Sequence, residues 1–198
     1  MLLRSLVALG LIAVSSSTLA QKIKLFEGDL KPLKGEKSIR IEFSYDSMMV
    51  GEDLEEAYVE KMKNRWNGEE AGKGDEWKQN WYDARKTLYE PSFNYSFSKA
   101  SGISTKSETS TYTIVIRTII SEPGFHVPGL AAKAAWIHTV ASIVKTDDPT
   151  QVIAIIEMYK YKSESVTGGD FGVGKRLQEA YIAAAAALGN LIKTKTAK

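Results

Sequence analysis

The stretch Tyr112-Thr113-Ile114-Val115-Ile116-Arg117-Thr118-Ile119-Ile120 decides the fold. Nearly every residue in it is β-branched or aromatic, which suits a pleated strand better than a helix. Two runs of the same character follow, Trp136 to Val144 and Val152 to Tyr159. The links between them carry turn chemistry: Glu122-Pro123-Gly124 through Pro128-Gly129, then Asp147-Asp148-Pro149-Thr150. Proline presets φ at the first corner of a turn and glycine accepts positive φ at the second. Three strands joined in this way read as an antiparallel meander.

An alanine-rich helix is expected after the meander, from about Gly174 to Lys193, with Leu177, Tyr181, Ala184, Leu188 and Leu191 as its apolar stripe. The alanines at 183–187 would let it lie close to a sheet, and Lys193, Lys195 and Lys198 complement its C-terminal dipole. Upstream, Ser38 to Asp46 alternates, with Ile39, Ile41, Phe43 and Tyr45 inward and Arg40, Glu42, Ser44 and Asp46 outward, as in a half-buried strand. Glu52 to Glu56 opens a helix that Lys61, Lys63 and Arg65 close, with Leu54, Tyr58, Met62 and Trp66 as its buried stripe. After a polar loop from Gly68 to Gly74, a second helix is expected from Asp75 to just before Pro91, burying Trp77, Trp81, Ala84 and Leu88. Phe93, Tyr95 and Phe97 alternate as a short edge strand or aromatic lid would, and Lys99 to Ser110 reads as a Ser/Thr-rich loop. The fold class is α+β: a two-layer sandwich, its mostly antiparallel sheet of four or five strands with helices packed on one face.

The first twenty residues resemble a secretory leader: Arg4, an apolar run from Leu6 to Val14, and small residues ending at Ala20. The apolar run is shorter than the roughly 20 residues needed to cross a bilayer. The expected division is therefore a signal peptide, 1–20, and one α+β domain, 21–198, in which 21–36 forms an extended arm without a regular element of its own. That places the chain in a periplasm or outside the cell. No cysteine occurs anywhere, which removes disulfides, thiol nucleophiles and a lipid anchor on cysteine. The formal charge is only +2 at pH 7 with signs interspersed, unlike the concentrated basic face that nucleic acid requires.

Chemistry-bearing motifs are sparse. Gly169-Asp170-Phe171-Gly172-Val173-Gly174-Lys175-Arg176 has the Gly-x4-Gly-Lys skeleton of a phosphate loop between a strand and a helix. Arg176 stands where a magnesium-binding Ser or Thr belongs, and Asp170 places negative charge in the cradle. What remains is a candidate anion site of Gly172, Gly174, Lys175 and Arg176 at a helix start. His126 and His138 have no neighbour at metal-ligand spacing, so neither a metal nor a cofactor is expected. The carboxylates Glu42, Asp46, Glu122 and Glu157 are the acid/base candidates for a hydrolase or a glycan-active protein, and Trp66, Trp77, Trp81, Tyr82 and Tyr89 are candidate sugar-stacking rings, though the same spacing suits a core. A carrier of a small apolar ligand between helices and sheet is a further reading.

The central strands are apolar on both sides. Val115, Arg117 and Ile119, with Ile153 and Ile155, fall on the face opposite the expected helices. Either the arm covers them, or they form an interface for self-association or an envelope protein, because large apolar patches mark contact sites. The element order over residues 38–194 behind a leader resembles small exported domains of bacterial envelopes. In layout it is similar to the α/β module of curli-secretion-type lipoproteins and of the Tol-B amino-terminal domain. That resemblance implies envelope assembly or partner binding rather than catalysis. N-terminal sequencing of the chain recovered after export is expected to begin at Gln21; a start at Met1 would remove the leader from the reading.

Overall fold

The computed structural model describes residues 22–107, 109–127, 129–166 and 172–197. The expected leader and residues 169–171 of the glycine loop lie outside them. In chain order the elements are β1 (Lys22–Gly28), a 3-10 turn (Lys31–Leu33), β2 (Arg40–Ser44), β3 (Met49–Val50), β4 (Asp53–Leu54), α1 (Glu55–Glu69), α2 (Lys73–Ala84), a π-turn (Arg85–Tyr89), α3 (Glu90–Ser101), β5 (Tyr112–Glu122), β6 (Phe125–Val127), β7 (Ala131–Lys133), β8 (Trp136–Lys145), β9 (Val152–Lys162) and α4 (Val173–Thr196). The meander is β5–β8–β9, antiparallel throughout, with β6 and β7 forming a separate small hairpin inside its first connection.

The sheet is larger than expected and mixed rather than mostly antiparallel. It has seven strands, in the order β1-β9-β8-β5, and both β2 and β3 occupy the remaining edge of β5, with β4 beyond β3. β2 and β3 run parallel to β5, a direction that no local pattern encodes, because it follows from the helical crossover between residues 55 and 101. The expected arm is in part a strand: Lys22–Gly28 pairs antiparallel with β9 and widens the sheet instead of covering its second face. Ile23 and Leu25 thereby reach the core as an alternating strand would. A register shift between Leu25 and Glu27 marks a bulge at Phe26, and the pairing runs on to Gly28, whose φ of 82° and whose approach to the Ile153 carbonyl leave no room for a Cβ.

The helical layer departs from expectation at Pro91. That residue does not stop the chain: helix resumes as α3, with Pro91 in its first turn, where a missing N–H costs nothing. The π-turn immediately before it takes up the misfit. Phe93 and Phe97 are therefore not an edge strand. Their spacing also fits i, i+4 on a helix, and both are fully buried while Tyr95 stays exposed. The first helix starts at Glu55, because residues 49–54 make the short β3–β4 hairpin, and Leu54 is exposed rather than part of a buried stripe.

Sheet and helices make the expected two layers. Ile114, Ile116, Ile137, Ala141, Ile143, Ala154, Ile156 and Met158 are fully buried on the helix-facing side, against Phe93, Phe97, Leu177, Ala184 and Leu188. The contact between α3 and α4 is close: a Cβ on Gly189 would sit 2.8 Å from Ala100 Cβ and 2.9 Å from the Phe97 carbonyl oxygen. Replacing Gly189 with Val is expected to lower stability by about 1–3 kcal/mol, since backbone on α3 must move. Gly68→Ala, in open space on α1, should instead raise it by about 0.5–1 kcal/mol. Urea unfolding midpoints of the two variants check the opposite signs.

Candidate functional site

Burial along β8 runs half-buried, buried, half-buried, buried from Trp136 to Ile143, which is the signature of a sheet covered on one side only. On the side away from the helices, the register sets out two rows. One runs Glu42–Val115–Ser142–Ile155–Glu27 across β2, β5, β8, β9 and β1. The other runs Ser44–Arg117–Val140–Glu157–Lys24. All of these side chains keep some solvent access. Beyond the second row, His138 Nε2 lies 3.0 Å from Glu157 Oε1, and its ring meets Tyr159 edge-on at 5.1 Å. Lys160, held at φ 53° by a bulge in β9, lies over Trp136 at 5.1 Å.

Of the interface residues expected from sequence, Val115, Arg117 and Ile155 come together on this face. Ile119 sits in the β5 bulge, half-buried, and Ile153 packs against the core. Val140, at the centre of the second row, was not among them. The alternation of Trp136, His138, Val140 and Ser142 carries its signal, but the cross-strand neighbours that make it central depend on register.

The anion candidates separate. Gly172 caps α4, and its carbonyl accepts from the N–H groups of Lys175 and Arg176 at 3.2 and 3.3 Å. Lys175 is exposed, whereas Arg176 is buried, its Nε donating to the Pro123 carbonyl at 3.2 Å. The basic pair thus points two ways, one side chain to water and the other to the first connection of the meander.

The four candidate carboxylates lie apart. Glu42 and Glu157 are on the open face three strands from each other, Asp46 accepts from Ser44 Oγ at 2.8 Å, and Glu122 holds Lys133 Nζ at 2.8 Å. His126 is on β6, remote in register from His138. Among the described residues no three His, Cys, Asp or Glu side chains cluster to hold a metal. The candidate tryptophans Trp66, Trp77 and Trp81 are core: Trp77 and Trp81 stack at 5.5 Å beneath Tyr58, and all three are nearly inaccessible.

Sequence reasoning missed a polar centre at the π-turn. Glu55, opening α1, is ion-paired with Arg85 and accepts from Trp81 Nε1 at 2.7 Å. The Arg85 guanidinium lies 4.2 Å from the Tyr45 ring centroid and 5.1 Å from that of Tyr82. These groups form one wall of an open cleft of about 590 Å³, completed by Phe43, Met48 and Leu54. The pair is 30 residues apart in sequence, so no local pattern reveals it. Behind it, Tyr181 stacks on Tyr89 at 4.9 Å and shares a hydrogen bond with Thr118 Oγ1 at 2.8 Å. Burial pushes the hydroxyls of Tyr45, Tyr89 and Tyr181 well above the usual tyrosine range, with neighbouring Tyr181 and Glu90 adding to the effect at Tyr45.

No family model matches this chain, and no curated protein matches it. Among solved structures, a PelC dodecamer from Paraburkholderia phytofirmans is 9% identical with a TM-score of 0.37, over 84% of this chain and 99% of that one. A single-substitution form of the same dodecamer is 6% identical with a TM-score of 0.34, over 84% and 98%. Protein XCC0632 from Xanthomonas campestris, of the DUF330 family, is 13% identical with a TM-score of 0.37, over 85% and 91%. The expected resemblance in layout to curli-secretion-type lipoproteins and the Tol-B amino-terminal domain is not shown by these comparisons. No helix among the described residues is long and apolar enough to cross a membrane.

The three tyrosines make an alkaline prediction. Their folded-state pKa values lie above the unfolded value of 10.0, so their contribution is whole below pH 10 and declines above it as the unfolded chain ionises. Stability is expected to fall by about 1.4 kcal/mol per pH unit for each tyrosine. Tyr45→Phe should make that decline shallower by about 1.4 kcal/mol per pH unit above pH 10. Unfolding followed by tyrosinate absorbance between pH 9 and 11.5 measures it.

Proposed function

We propose that this chain is an exported, non-catalytic binding module of the cell envelope that acts through protein contact at the open face of its sheet. One observation carries the reading: the helices bury a single side of the sheet, while on the other Val115 and Ile155 flank Ser142 in one row and Val140 lies diagonal to both in the next, between Arg117 and Glu157. Contiguous apolar groups rimmed by charge are the mark of a contact surface. A carboxylate enzyme has less behind it, because the acidic candidates are dispersed and each of Asp46, Glu122 and Glu157 already holds a partner. A carrier between the layers has less again, since the facing side chains there fill the space at full burial.

A photo-cross-linking residue at Ser142, in the middle of the open face, is expected to capture a discrete protein species in the living cell. The same probe at exposed Tyr95, on the helical layer, should capture none. Capture at 95 and not at 142 would place the working surface on the helices and overturn the reading.

A further inference from the structure

We infer that the partner on the open face is a second copy of this chain, packed face to face about a two-fold axis that lies close to the direction of β8. This rests on the reading of that face as a contact surface and names its occupant. Such an axis carries each residue of β5 over a residue of β9 in the other copy and leaves residues of β8 over themselves. A surface can obey that operation only if β5 and β9 are complementary in each row.

They are. In the second row Arg117 on β5 and Glu157 on β9 flank Val140, so the operation sets Arg117 over Glu157 twice, with Val140 against Val140 between the two pairs. In the first row it sets Val115 over Ile155 twice, around Ser142. Beyond, half-buried Ile119 on β5 comes toward Tyr159 on β9. No like charges meet in the three central strands. At the rim Lys24 comes over Ser44, one pleat from Glu42. Glu42 and Glu27 share the other rim register, where the roughly 30° angle between packed sheets carries them past each other.

The spacing suits the side chains. Packed sheets lie about 10 Å apart, a gap that Arg117 and Glu157 span together while valine and isoleucine fill it. Four strands about 4.8 Å apart and about ten residues long offer roughly 600 Å² from each copy. The total falls at the lower end of specific interfaces, the range of weak or transient pairing, and a dissociation constant in the micromolar range is expected.

The test uses the chain recovered after export. Sedimentation equilibrium should show a reversible dimer. Arg117→Glu and Glu157→Arg should each weaken it by about tenfold or more, since each creates two like-charge contacts, and the double variant should recover to within about threefold of the parent. Thermal melting of each variant monitors the fold. Val140→Cys introduces the chain's only thiol, and a bismaleimide about 10 Å long, matching the sheet spacing, should link two copies through it. A dimer indifferent to both reversals and unlinked at 140 overturns the axis. A chain that stays monomeric at millimolar concentration overturns self-pairing. If the Ser142 probe still captures a different protein in that case, the binding-module reading stands alone; if it captures nothing, both fall.

Discussion

The approach of α4 to α3 at Gly189 is the contact on which the rest of the molecule depends. Without a side chain there, the backbone of α4 rests against Phe97, Ala100 and Ser101. The small face of α4, with Ala180, Ala184 and Ala185 all fully buried, then reaches β8 and β9. Two helices held this close form a continuous layer that seals one side of the sheet at native density. With the described helices on one side, the central rows of the other keep solvent access, and that face is buried only at its Thr113–Val144 end.

The polar centre at the π-turn is a second consequence of how that layer is joined. An α-helix running unbroken from 73 to 101 would set Pro91 in mid-helix, where its ring strikes the carbonyl four residues back. The π-turn absorbs this and swings Arg85 toward Glu55, tying the end of α2 to the start of α1. With side-chain exposures of 20% and 12%, the pair is largely withdrawn from water, and Trp81 and the Tyr45 ring supply much of what solvent would otherwise provide. Its contribution is to fix how α1 sits on α2 and on the 44–48 loop, more than to add stability outright.

Legibility in the sequence followed the range of the interactions. The meander, α4 and the inward face of β2 were readable because period, turn residues and apolar stripes are local. Phe93-Asn94-Tyr95-Ser96-Phe97 misled because its spacing satisfies period two and i, i+4 at once, and only its place after Pro91 and against α4 selects the helix. β1 was hidden by Gly28, Pro32 and Gly35, which read as irregular chain; its strand character comes from the free edge of β9. For the open face, the apolar residues on β5 and β9 were legible. The centring of Val140 between Arg117 and Glu157 was not, since it rests on register across three strands, and one residue of slip would have turned every side chain over.

The edges of the sheet bear on why contact should run through the face. Any open edge is itself a template for another strand, and soluble chains guard against this with charge, bulges and short strands. Here β1 presents Lys22 and Lys24 and is bulged at Phe26. On the far side β3 and β4 are only two residues long. The approach to β2 is occupied by residue 104: the Ile39 N–H donates to the Ser104 carbonyl, and the Ser104 N–H donates to the Lys37 carbonyl. With both edges defended, backbone pairing is disfavoured, and on the proposed reading partner choice rests with side chains on the flat face. There the discriminating element is the antisymmetric charge about β8. A partner sheet bearing the same sign over Arg117 or over Glu157 would bury two repelled charges, so the rows that admit a second copy also exclude most other strands.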